Sequence, residues 1–150
     1  MLGLLATALA FPVHAQQIGR IKSAIGAATV LRGATPIPAS VGQDLMSGDW
    51  LETGKDGRIS LTFIDDTRFS VAPESRVALA KFEYDRTTEK GSFIAKVERG
   101  SIAVVSGRIA KTRCGGQEAQ AGTGCGGMEV QTPKATLAVR GTRFIVTVPK

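Results

Sequence analysis

Three aspartates, Asp49, Asp65 and Asp66, are the side chains of this sequence best placed to do chemistry. A pair of carboxylates could cleave a glycosidic bond, provided one carboxyl is held neutral in a cleft beside an ionised partner. Their contexts favour turns instead. Asp49 follows Gly48 and Asp66 precedes Thr67, and aspartates in such places accept hydrogen bonds from nearby backbone N–H groups. Calcium at these turns would need a run of alternating oxygen ligands, which is missing. The one histidine is His14, inside the apolar N-terminal segment. If that segment is cleaved, the mature chain has no imidazole for Ser-His-Asp or Cys-His catalysis or for a histidine metal site. The expectation is a protein without enzyme activity and without a cofactor.

The two cysteines, Cys114 and Cys125, are each followed by Gly-Gly and separated by polar, flexible residues. A disulfide between them fits an oxidising compartment and would add about 2–3 kcal/mol by loop closure. A redox or metal-binding pair is the alternative, but the spacing is not Cys-x-x-Cys and no other soft ligand is near. Arg99, Arg108, Lys111 and Arg113 form a basic run with no acid inside it, in a chain of net charge +6. Arg108, Lys111 and Arg113 are therefore a candidate anion site, with a solvated basic face as the plain alternative. Nucleic acid is not the expected partner, because export removes the chain from it and no aromatics interleave the basic residues. Outside the cytoplasm the available polyanions are phospholipid headgroups, lipopolysaccharide phosphates and wall polymers. Arg140-Gly141-Thr142 could grip an anion, or Gly141 could make a turn while Arg140 pairs with Asp49 or Asp66. Trp50 is read as capping the core, with an exposed anchor for a sugar or partner as the other option.

These residues must be positioned by short strands. Arg58 to Phe63 alternates cleanly, with Ile59, Leu61 and Phe63 on one face and Arg58, Ser60 and Thr62 on the other. Phe69 and Val71 resume the inward face until Pro73 ends the strand. Val77, Leu79 and Phe82 suggest the next, broken before Asp85 to Lys90. Phe93 to Val97, Ile102 to Val105, Leu137 to Val139 and Phe144 to Val148 complete the set. Ile18, Ile21 and Ile25 lie at helical spacing, yet Gly19 and Gly26 bracket them. Thr35 to Val41, with Pro36 and Pro38, reads as an extended connector. Eighteen glycines suit a fold of many tight turns, and aromatics at only 5% place the core on Val, Ile, Leu and Ala. Strands recurring every 8–12 residues mean an all-β sandwich, barrel or solenoid. Residues 113–127 are Gly-rich and longer than an ordinary loop; they read as an inserted loop tied by the disulfide.

Leu2 to Val13 is apolar and uncharged, and Val13-His14-Ala15 offers the small residues a signal peptidase accepts. Cleavage after Ala15 would leave residues 16–150 as one exported domain. The run is too short to span a bilayer, which takes about 20 residues. A positive n-region is missing, so either export tolerates its loss or the true start lies upstream.

The ordered motifs resemble the FecR family. Gly48-Asp49 leads to Glu52-Thr53-Gly54, then to Gly57-Arg58-Ile59-Ser60-Leu61-Thr62-Phe63 and Asp65-Asp66-Thr67. Pro73-Glu74-Ser75 and Arg99-Gly100-Ser101-Ile102 follow, and Thr132-Pro133 through Arg140-Gly141-Thr142-Arg143-Phe144 closes the series. The similarity runs roughly from Gly19 to Val148. It implies a twisted, solenoid-like all-β module outside the cytoplasm, linked to signalling and not enzymatic, with the motif residues shaping the fold. In that family a cytoplasmic region binds a sigma factor, one helix crosses the inner membrane, and a periplasmic part senses an outer-membrane iron receptor. The sequence shows neither the cytoplasmic region nor the span. The expected role is thus a periplasmic module that meets an envelope protein. An envelope polyanion- or glycan-binding module and a fragment of a transmembrane sigma-factor regulator of iron uptake are the alternatives. The strand ending near Val148 also leaves an edge to which a partner could add its own strand.

Overall fold

The computed structural model describes residues 16–111, 113–114, 117–118, 126–141 and 143–149. The expected cleavage after Ala15 lies outside the described residues, as does the Cys114–Cys125 disulfide, of which only the Cys114 backbone is described. In chain order the strands are β1 (Gln17–Ile25), β2 (Ala28–Arg32), β3 (Thr35–Pro38), β4 (Asp44–Met46), β5 (Trp50–Thr53), β6 (Arg58–Phe63) and β7 (Arg68–Val71). There follow β8 (Arg76–Asp85), β9 (Lys90–Val105), β10 (Arg113–Cys114), β11 (Gln117–Glu118), β12 (Gly127–Gln131), β13 (Thr136–Val139) and β14 (Arg143–Val148). A 3-10 turn, Ile109–Lys111, follows β9, and no α-helix occurs among the described residues. The all-β expectation holds, with the strands forming a curled half-barrel.

The long strand β9 organises the sheet. Its first part pairs antiparallel with β8 and parallel with β12, and its second part lies between β7 and β14. One half of the sheet therefore runs β3-β2-β5-β8-β9-β12-β13 and the other β4-β1-β6-β7-β9-β14. The two strands expected at Phe93 to Val97 and Ile102 to Val105 are one. Gly100, read as a corner, takes φ +86° inside the strand without ending it. The parallel β9–β12 pair needs a return crossover, and most of the expected inserted loop, residues 113–127, lies outside the described residues. Its described exit is tight: a Cβ on Gly126 would lie 2.0 Å from the Gly91 carbonyl oxygen.

Thr35 to Val41 is not simply a connector, since Thr35–Pro38 pairs with β2 as an edge strand. Pro36 and Pro38 are tolerated there because an edge strand leaves one row of backbone groups unpaired. The helical spacing of Ile18 and Ile21 arises from a β-bulge: the pairing of β1 with β4 shifts between Gln17 and Gly19. That extra residue resets the alternation, and both isoleucines are buried. Aliphatic side chains supply most of the core, as expected, but its centre is aromatic. Phe63 lies 4.6 Å from Phe93, 5.2 Å from Phe82 and 5.9 Å from Phe69, centroid to centroid. Such offset and edge-on pairs contribute beyond the area they bury.

Candidate functional site

The motif residues converge on buried polar junctions between strands. At the first, Asp49 is 1% exposed and its carboxylate is held from two sides. Arg32, at the end of β2, donates from Nε to Oδ1 at 2.9 Å and from its terminal nitrogen to Oδ2 at 2.8 Å. The Met46 backbone N–H donates to Oδ2 at 2.9 Å. The Asp49 carbonyl accepts from Leu79 N–H at 2.8 Å, and Gly48 N–H donates to the Leu79 carbonyl. The junction thus joins β2, β4, β5 and β8. The Asp49 hydrogen bond, opposed by burial, holds the Arg32 guanidinium above its ordinary range. The cation on Asp49 is Arg32, whereas the sequence offered Arg140 as one option for Asp49 or Asp66.

At the second junction Thr53 Oγ1 donates to the Ala72 carbonyl at 2.7 Å and accepts from Ser75 N–H at 3.0 Å. Ser75 Oγ in turn accepts from Ser101 N–H at 3.0 Å. Gly100 is required here on two counts: its positive φ, and a Cβ that would sit 2.1 Å from Ser75 Oγ. Gly54 and Gly57 close the neighbouring corner. Gly54 N–H donates to the Ala27 carbonyl, and any Cβ on Gly57 would lie 2.0 Å from that same oxygen. Pro73 contributes its carbonyl, which accepts from Ser75 Oγ at 3.2 Å.

The third junction is the Asp65-Asp66-Thr67 turn between β6 and β7. Asp65 is fully buried; Oδ1 accepts from Thr67 N–H at 3.0 Å, and Oδ2 from Thr67 Oγ1 at 2.7 Å and Ile109 N–H at 3.2 Å. Thr67 Oγ1 accepts from Gly107 N–H at 2.9 Å. The turn expected from the sequence is present, and it also anchors the chain leaving β9. Asp66 adopts φ +70° and points outward to Arg108, 3.2 Å away. Asp65 and Asp66 therefore face opposite ways, and both Asp65 carboxylate oxygens are already bonded to protein donors.

The closing motif builds a hairpin. Thr132 Oγ1 accepts from Ala135 N–H at 3.0 Å, and Thr132 N–H donates to the Ala135 carbonyl at 2.8 Å, with Pro133 in the turn between β12 and β13. Gly141, at φ +51°, and the exposed Arg140 lie where the chain passes from β13 to β14. Thr142 lies outside the described residues.

The basic run is not a bare cationic patch. Arg108 lies against Asp66 and donates to Glu89 Oε1 at 2.8 Å, acids that the linear sequence keeps far from it. Lys111 is exposed; the Arg113 side chain is outside the described residues. Trp50 is not a core cap. It is half-buried on the outward parity of β5, with the Arg76 guanidinium 4.7 Å above its ring and Glu52 3.0 Å from Arg76.

Sequence reading missed Arg32, although a signal was available: Arg32 has the inward parity of Val30 on β2. It also missed the outer face formed by β6, β7, the end of β9 and β14. There Arg68 and Arg143 are both register partners of Val105, from opposite sides. Ser70 and Ile145 likewise flank Ala103. A groove of about 580 Å³ lies along these residues. Among the described residues no group of three or more His, Cys, Asp or Glu side chains is arranged to hold a metal, and no helix is long and apolar enough to cross a membrane.

No curated protein and no solved structure gives a significant match. The family model described as FecR protein matches residues 49–150, the stretch that begins at the Asp49 junction and contains the other two junctions and the closing hairpin. The chain belongs to the FecR family.

Proposed function

We propose that this chain is a non-enzymatic signalling and protein-interaction module of the bacterial periplasm, exported by cleavage after Ala15. The observation that carries the reading is where the motif's polar side chains are spent. Asp49, Thr53, Asp65, Thr67 and Ser75 are all buried and bonded to other parts of the fold. A scaffold built this way leaves recognition to its surfaces. FecR membership supports a signalling or regulatory role. Among the described residues, β13 pairs only with β12 and β14 only with β9, and these strands carry the exposed Leu137 and Ile145. Open strand edges with exposed apolar side chains suit an envelope protein that adds its own strand.

The reading is tested in the native cells. An alkaline phosphatase fusion after Lys150 should be active, and the mature protein should start at Gln16. A photo-crosslinking residue at Leu137 or Ile145 should give one discrete adduct with an envelope protein. An inactive fusion would refute export, and crosslinking no stronger than at the exposed Lys55 would refute the edge as a protein contact. A longer mature protein with an upstream span would place the module in a transmembrane regulator instead. Screening against hydrolase substrates should find no turnover.

A further inference from the structure

We infer that the outer face of β7, β9 and β14 binds an anionic lipid, with Arg68 and Arg143 holding its phosphate and the strip beside them taking its acyl chain. Arg68 and Arg143 sit on either side of Val105 in one cross-strand row. Their Cα atoms are two strand spacings apart, about 10 Å, so both guanidiniums can reach over Val105 to one phosphate. In the next row Ser70, Ala103 and Ile145 line the same groove, whose volume of about 580 Å³ lies in the range of small-molecule sites. Ile145, 72% exposed, supplies the accessible aliphatic side chain of this strip.

Charge on this face is unopposed. β6, β7, β14 and residues 100–105 contain no Asp or Glu at all. Neither Arg68 nor Arg143 has an ion pair among the described residues. Arg76 and Arg108, by contrast, each lie against two acids, Glu52 and Glu98 for the first and Asp66 and Glu89 for the second. Protection of an exposed edge would account for a cation on β14, but not for Arg68, which lies two strands inside the sheet. A peptide strand added to β14 would likewise meet Arg143 and not Arg68. A ligand lying across the face uses both. Phosphate accepts several charge-assisted hydrogen bonds from such a pair, and the apolar strip asks for a chain attached to it.

This site shares Ile145 with the edge proposed for an envelope protein, but its test uses only the purified full chain and small probes, so the two readings fail separately. Dodecyl phosphate below its micellar concentration is titrated by calorimetry and by amide chemical shifts. It should bind at micromolar concentration and shift Ala103, Val105 and Ile145. Arg68→Gln and Arg143→Gln, both exposed and expected to keep the fold by circular dichroism, should each weaken binding about tenfold. Inorganic phosphate and dodecyl maltoside should each bind at least about tenfold more weakly. Equal binding of inorganic phosphate would remove the acyl strip from the proposal, and equal binding of dodecyl maltoside would remove the arginines. Preference for a poly-glutamate peptide would make the occupant a protein. An unchanged affinity in Arg68→Gln, or no binding at all, would overturn the site.

Discussion

Replacing Arg32 by methionine should destabilise the protein more than neutralising its partner does. The wild-type junction holds the Asp49 carboxylate, whose side chain is 2% exposed, against an arginine that is 40% exposed. Arg32→Met keeps much of the side-chain volume but leaves a buried anion with one protein donor, the Met46 N–H. Breaking a buried pair from one side costs about 3–5 kcal/mol. The partial exposure of Arg32 and the surviving Met46 bond place this case near 3 kcal/mol. Asp49→Asn removes the charge but keeps an acceptor for Met46, and its freed arginine can turn to water; about 1–2 kcal/mol is expected. The double variant Arg32→Met/Asp49→Asn has no buried charge, so it should regain about 1–2 kcal/mol relative to Arg32→Met alone. Urea denaturation reads all three. With a slope of about 2 kcal/mol/M, a loss of 3 kcal/mol lowers the midpoint by about 1.5 M. A midpoint for the double variant below that of Arg32→Met would refute the assignment, because it would mean that Asp49 contributes without reference to its arginine.

Gly100→Ala should cost about 3 kcal/mol, since alanine must adopt a positive φ and its Cβ meets Ser75 Oγ at 2.1 Å; a thermal melt shifted by less than a degree or two would contradict this. Thr53→Val conserves shape but strands the Ala72 carbonyl and Ser75 N–H, costing about 2–3 kcal/mol. Hydrogen exchange should then quicken at the Ser75 amide first, and uniform quickening across the sheet would point to a general loss of packing instead. The Thr87 and Thr88 backbone N–H groups hold the Asp85 carboxyl below the ordinary aspartate range. A depressed folded pKa stabilises above the unfolded value and loses that contribution as pH falls through the folded one. In an NMR titration the Thr87 and Thr88 amide shifts should therefore move together with a midpoint below that of an unfolded aspartate.

Strands with strict alternation were legible from the residues alone. Arg58 to Phe63 appears in the structure with the bounds expected. The strands at Asp44–Met46, Trp50–Thr53 and Gly127–Gln131 were not foreseen. Each is five residues or fewer and gains its conformation from neighbours distant in sequence, so it carries no periodic pattern of its own. The continuity of β9 was hidden for a different reason: glycine marks a turn and a bend inside a strand with the same letter. At the junctions, Asp65 and Thr67 were readable as a turn because their bonds are local. Their bonds to Gly107 and Ile109 were not, because those partners lie some 40 residues away.

Basic residues show most clearly what a linear reading misplaces. Arg108, Lys111 and Arg113 look like a cationic site because they are close in sequence, yet folding brings Asp66 and Glu89 to Arg108. Arg68 and Arg143 are 75 positions apart and become neighbours across Val105 only when β9 lies between β7 and β14. Arg143 stands in the closing motif, but the pair exists only because the sheet that the motif builds brings Arg68 to it. Substitutions in the motif and on the face should therefore separate in their effects. A change at Thr53, Ser75 or Asp65 removes a bond between strands and should lower stability, altering ligand affinity only in proportion to the folded fraction. A change at Arg68 or Arg143 removes no bond within the described protein and should leave the urea midpoint in place while altering the ligand. If Arg143→Gln destabilised the chain as much as Thr53→Val does, the arginine would belong to the scaffold. Its lack of an acidic neighbour would then say nothing about binding.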